Sequence, residues 1–143
     1  TLSSSSAASD VYKRQQLQWA RYRYDVPGDR IAMSAFQFPF QVAAQADVPS
    51  ANIAYSFGQK GWLDDITCYN NLSMTRPVGH RAGLRDSWQN VTGCSLQKGI
   101  MLTYVDWIAG RNMWFAGGDG IGIDEGGPSR WHSRLNFNIG FYF

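Results

Sequence analysis

Apolar and polar residues alternate along the last stretch of the chain, WHSRLNFNIGFYF. With a period of two, Trp131, Ser133, Leu135, Phe137, Ile139, Phe141 and Phe143 fall on one face of an extended chain. His132, Arg134, Asn136, Asn138, Gly140 and Tyr142 fall on the other. The stretch outruns the roughly 5 to 6 residues usual for a strand in a soluble protein and reaches the roughly 9 to 11 that cross a bilayer at a tilt. Six earlier segments also read as strands: 15 to 25, 31 to 44, 51 to 58, 62 to 74, 87 to 97 and 100 to 109. Tight turns are expected at Asp25 to Arg30 (DVPGDR), at Gly58 to Gly61 and at Lys98-Gly99, each with turn chemistry. Longer links cover 45 to 50, 75 to 86 and the Gly-rich 110 to 130.

Composition agrees with an all-β chain. Glu125 is the one glutamate among 143 residues, and Lys13, Lys60 and Lys98 are the only lysines, so the usual fillers of helix surfaces are nearly absent. Charged residues make up 17%, against about 25% in an ordinary soluble domain, while 15% are aromatic. Mean hydropathy is nevertheless −0.32, because Asn, Gln, Ser and Thr supply the polarity. The formal net charge of +2 argues against a nucleic-acid partner. No apolar run approaches the roughly 18 residues of a transmembrane helix. The opening segment, TLSSSSAASDVYKRQ, resembles translated sequencing-adapter read-through, and residues 1 to 15 are set aside as artefactual or disordered, leaving 16 to 143 as the folded part.

A chain ending on Phe143, with apolar residues back through Phe141, Ile139, Phe137 and Leu135, resembles the C-terminal strand of Gram-negative outer-membrane β-barrels. In those proteins this strand is also the signal read by the barrel-assembly machinery. The stretches ITCYNNLS and WHSRLNFNIGFYF are similar to porins described as phosphate-selective porin O/P-like, over roughly residues 15 to 143. The resemblance implies an antiparallel up-and-down transmembrane β-barrel fragment of about seven strands in the bacterial outer membrane. Its signal peptide and remaining strands would lie upstream. It also implies passive diffusion of small hydrophilic solutes, anions among them, with no enzymatic activity and no cofactor. Outer-membrane lipid, the assembly machinery and the solutes are the implied partners; homotrimeric assembly stays open.

Such a barrel has short periplasmic turns and long extracellular loops. Counting back from Phe143 puts the three tight turns on the periplasmic side. A two-residue turn at Lys98 and Gly99 pairs Leu96 with Met101, Cys94 with Thr103 and Asn90 with Trp107 as a lipid face, and sets Asp106 and Tyr104 opposite Val91 and Gly93 on the lumen face. A turn at Gln59 and Lys60 pairs Phe57 with Trp62 and Ile53 with Ile66. At the first hairpin an odd turn or bulge is expected, turning Ala20, Tyr22 and Tyr24 to lipid and Arg21 and Arg23 to the lumen. Trp88, Trp107 and Trp131 then mark the extracellular strand ends, and Phe57, Trp62, Phe141 and Phe143 the periplasmic ones.

Arg21, Arg23, Asp65, Asp106, His132 and Arg134 are the candidate pore-lining residues, and Arg76, Arg81 and Arg85 the candidates for the extracellular mouth. His80 and His132 lack a triad spacing. The segment Gly117 to Gly127 fits neither a dinucleotide fingerprint nor a calcium loop, and no metal site is expected. Cys68 and Cys94 are expected as free, small apolar groups, with a cross-strand disulfide as the alternative. Two other function classes stay in view: a soluble β-sandwich or jelly-roll module of the carbohydrate-binding type, whose aromatics would point inward, and an outer-membrane adhesion or structural barrel without a pore.

Overall fold

A computed structural model describes residues 12–35, 37–79, 83–118, 120–124 and 126–143. The described residues form strands and turns without a helix. The strands are β1 (Lys13–Arg23), β2 (Arg30–Ala35), β3 (Phe38–Ala43), β4 (Gln45–Ser56), β5 (Asp65–Pro77), β6 (Ser87–Lys98), β7 (Met101–Arg111), β8 (Met113–Trp114), β9 (Gly117–Gly118), β10 (Gly120–Ile121) and β11 (Trp131–Phe141). The long strands make one antiparallel sheet in the order β1-β4-β5-β6-β7-β11, six strands among the described residues. It does not close: β1 and β11 are its two edges. β1 begins at Lys13, inside the segment set aside at the sequence level.

The expected strand 31 to 44 is not part of this sheet. It doubles back at Gln37, whose φ of 68° lies in the left-handed region, and becomes the β2-β3 hairpin. β1 therefore pairs directly with β4, from Lys13 opposite Tyr55 to Arg23 opposite Gln45. The expected link at 45 to 50 is instead the first half of β4. One consequence is that β1 runs opposite to the expected direction. The DVPGDR turn then lies at the same end as the links 78 to 86 and 112 to 130, instead of with the tight turns.

All three long excursions leave from that one end and bond to each other. β3 pairs in parallel with β10, which pairs with β8, giving a second sheet in the order β2-β3-β10-β8-β9. Leu84 bridges to Ile123, and Arg30 donates from Nη2 to the Gly83 carbonyl at 3.1 Å. Most of the buried apolar side chains collect here: Val42, Ala43, Ala44, Ala46, Ala116 and Ile123. Run together as VAAQA, the small residues let the chain pass tightly from β3 into β4. Ser87, 1% exposed, ties the long links to β6: its Oγ donates to the Asn112 carbonyl and accepts from the Gly122 N–H at 2.7 Å.

The opposite end carries only short connections. Lys60 and Leu63 bridge within the β4-β5 turn, and Gly99, at φ 53°, begins the reversal between β6 and β7. Asp64 joins these two turns, accepting from the Gly99 N–H at 2.6 Å and from Lys98 Nζ at 2.8 Å. The Gly99 N–H and then the Lys98 ammonium hold the Asp64 carboxyl below the usual carboxylate range.

Candidate functional site: the polar face of the main sheet

Register sorts the long strands into two faces. One carries Gln16 and Gln18 of β1, Ser50 and Asn52 of β4, Thr67, Tyr69 and Asn71 of β5, Gln89 and Ser95 of β6, Tyr104 and Asp106 of β7, and Asn136 and Asn138 of β11. The other carries Leu17, Ile53, Leu72, Leu96, Val105 and Leu135 in the matching positions. Which side chains of one strand share a face was legible because side chains alternate. The register was not: Lys98 pairs with Met101, a shift of two residues from the expected hairpin, and Ile53 pairs with Asn70, a shift of four. An even shift leaves every side chain on its own face.

The polar face is cross-linked along strand rows. Gly93 lies between Tyr69 on β5 and Asp106 on β7, and the Tyr69 hydroxyl crosses it to donate to Asp106 Oδ1. Asn136 on β11 donates to the second carboxylate oxygen at 3.1 Å. A Cβ at Gly93 would collide with Asp106 Oδ1 and the Val105 carbonyl, so only glycine leaves room for this crossing. The expected partner of Gly93 was Tyr104; the two-residue shift puts Tyr104 opposite Ser95 instead. Nearby, Asn52 donates to Asn71, and Asp65 accepts from Ser56 Oγ at 2.6 Å and Thr67 Oγ1 at 2.7 Å. Tyr69, Asn136, Asn52 and Asn71 were missed at the sequence level, although alternation alone assigned them to the polar side.

Four of the candidate pore-lining residues lie on this face: Asp65, Asp106, His132 and Arg134. Arg21 and Arg23 do not. They share the apolar face with Asp47 and Ile53, whereas Ala20 and Tyr22 turn to the polar side opposite Val48 and Ala46. The expectation failed because β1 pairs with β4 instead of with 31 to 44. At the end of the apolar face Arg21 finds Asp47, with Nε to Oδ1 at 2.6 Å and Nη2 to Oδ2 at 2.8 Å. Arg76, directly opposite Asp47 on β5, also lies on the apolar side. Arg85 is in the linked loops, paired with Asp124 at 2.7 Å and donating to the Gly127 carbonyl. Arg81 lies outside the described residues, as do His80, Asp119 and Glu125.

The loops reach over the polar face at its β11 side. Arg134 lies over the Phe115 ring, 5.1 Å from its centroid, and His132 packs on Gly117. Beside them Phe38, Pro39, Trp114, Phe115, Gly117 and Gly118 line a shallow cavity. Phe40 stacks on Trp114 with centroids 4.2 Å apart.

The apolar face is uncovered. Leu17 is 87% exposed, Leu135 80% and Phe137 66%, and no described layer packs on them. Trp88 and Trp131 share a row with Arg111 at the long-link end, and Trp107 lies two positions inward. Phe57, Trp62, Phe141 and Phe143 gather at the short-turn end. Cys68 and Cys94, directly opposite each other on this face, form a disulfide. The expectation of free thiols is corrected: the two residues are direct cross-strand partners on one face, which brings their sulfurs together.

Among the described residues no group of three or more His, Cys, Asp or Glu is placed to hold a metal ion. No protein-family model, curated protein or solved structure matches the chain.

Proposed function

We propose that the main sheet is part of the wall of an outer-membrane β-barrel porin, with its polar face lining a conduit for small hydrophilic solutes and its apolar face against lipid. One observation carries this reading. An eleven-residue strand, β11, presents Leu135, Phe137, Ile139 and Phe141 to the outside and His132, Arg134, Asn136 and Asn138 to the side where the loops fold. A soluble sandwich buries its large apolar side chains between two sheets. Here they point away from the only other sheet among the described residues. Long excursions at one end and short turns at the other agree with the asymmetry of bacterial barrels.

Six strands are fewer than the roughly 8 of the smallest single-chain bacterial barrels, so a closed wall needs further strands along β1 and β11. The exposed Arg134 and His132 would then contact passing solute, buried Asp106 would brace the wall behind them, and the loop sheet would narrow one mouth. Anions are the favoured solutes where Arg134 and His132 project beside neutral Asn136 and Asn138.

The test is insertion followed by conduction. Unfolded chain added to phosphatidylcholine vesicles is expected to gain β-structure, blue-shift its tryptophans and resist protease; assembled into closed barrels, it should then give ohmic conductance across a planar bilayer. A chain that folds and stays monodisperse in plain buffer without detergent overturns the proposal.

A further inference from the structure

We propose that the outward face carries a binding site for an anionic phospholipid, formed by an apolar groove across β1, β4, β5 and β6 and a row of arginines at its long-link end. The site rests on the membrane reading above and names a lipid that this wall would hold.

The groove has a structural cause. β4 and β5 pair at Ala46-Pro77 and Asp47-Arg76 and again from Ser50-Ser73, but the ladder is interrupted across Val48 and Pro49. Proline has no N–H to donate and is disfavoured inside a sheet. At this break Leu17, Pro49, Ala51, Leu72, Met74 and Trp88 surround a trough of about 300 Å³. Pro49 and Ala51 keep its floor low, while Leu17, Met74 and Trp88 are long enough to wall it. Its surface is almost wholly apolar, as an acyl chain requires.

Cations stand directly beyond it. Arg21 follows Trp19 by two residues on the same face, Arg76 follows Met74 by two, and Arg111 is the cross-strand partner of Trp88. Arg23 adds a fourth guanidinium on β1. Asp47 is the one carboxylate on this face of the described strands, and Arg21 already binds it through two hydrogen bonds. Arg23, Arg76 and Arg111 are exposed and meet no second carboxylate on this face; Arg111 gives its Nε to Ser129 Oγ at 2.8 Å. Arginine forks match phosphate oxygens bidentately. An apolar trough opening onto these guanidinium groups fits one acyl chain below and a phosphate above. The short-turn end has no equivalent: its outward lysines are Lys13 and Lys98, and Lys98 is paired with Asp64.

The whole chain, inserted into phosphatidylcholine vesicles, is probed with small fractions of phosphatidic acid or phosphatidylcholine whose acyl chains are brominated, which quench tryptophans they touch. Brominated phosphatidic acid should quench more strongly at equal fraction, and Trp88→Phe should remove most of that excess. The double variant Arg76→Gln/Arg111→Gln should weaken the preference about tenfold, the equivalent of one charge-assisted hydrogen bond. Lys13→Gln should leave it unchanged. Equal quenching by the two lipids overturns the site, as does a preference lost equally in Lys13→Gln, which would mean diffuse surface charge. Insertion without lipid preference overturns only this site; failure to insert into any vesicle overturns it together with the membrane reading.

Discussion

The two faces of the main sheet come from the same strands and differ in almost every respect. The polar face is knitted by side-chain hydrogen bonds that run from strand to strand, Asn52 to Asn71 and Tyr69 to Asp106 to Asn136. The apolar face carries one disulfide, the Arg21–Asp47 pair at its long-link end and, further in, a polar group of Asn70, Asn90 and Thr92. These three satisfy one another: Asn70 Nδ2 donates to Thr92 Oγ1 at 2.6 Å and Asn90 Nδ2 to Asn70 Oδ1 at 3.1 Å. In hydrocarbon a polar side chain is tolerated when its bonds are closed within the protein. The polar face, by contrast, leaves His132 and Arg134 exposed, as a watered surface allows. On the membrane reading proposed above, each face meets a different solvent.

The contrast breaks most easily by moving a charge across it. If the sheet is the membrane wall proposed above, Phe137→Arg places a guanidinium on the apolar side and should destabilise the inserted state by about 2 to 4 kcal/mol. Asn138→Arg, one residue away on the polar side, should cost far less, and equal effects on vesicle-inserted stability in urea would refute the assignment of faces. Next comes the disulfide between Cys68 and Cys94, which closes a separation of 26 residues. Replacing both by serine should lower stability by about 3 kcal/mol, read from the shift in unfolding midpoint against the oxidised parent.

On the polar side Gly93→Ala should cost about 1 to 3 kcal/mol, because the new methyl meets Asp106 and the Val105 carbonyl. Asp106→Asn keeps the shape but alters the acceptor shared by Tyr69 and Asn136, and about 1 to 2 kcal/mol should be lost. If Asp106→Asn in a Gly93→Ala background costs as much as it does alone, the crossing of Tyr69 over Gly93 is not what couples these residues.

The smallest effect concerns the turn clamp. Asp64 is depressed in the folded chain, so its contribution is present above the unfolded carboxylate range and is lost as pH falls through the folded value. Protease cleavage between Gly58 and Gly61 should therefore rise on acidification, and Asp64→Asn should remove that dependence.

Some of this was legible without coordinates. Strict alternation placed Asp65, Asp106, His132 and Arg134 on one face and Leu135, Phe137 and Ile139 on the other, and turn residues marked the β4-β5 and β6-β7 connections. Asp106 and Gly93 were noticed separately. Their relation through Tyr69 was hidden, because it depends on which residue of β5 meets which of β6 and β7. Arg21 and Arg23 were turned to the wrong face for a related reason: their facing was inferred from an assumed partner strand.

The sequence by itself determined that the chain is β-rich and which side chains of one strand share a face, since a period of two survives any even change of register. Only the tertiary structure decided the partners. Whether 31 to 44 continues as a wall strand or folds back as a hairpin depends on competition for the edge of β1, which β4 wins with its ladder from Gln45 to Tyr55. The trough at Pro49 and the pairing of Arg21 with Asp47 follow from that choice, and the closeness of Cys68 to Cys94 follows from the β5-β6 register; each joins residues that alternation assigns to a face without saying what lies beside them.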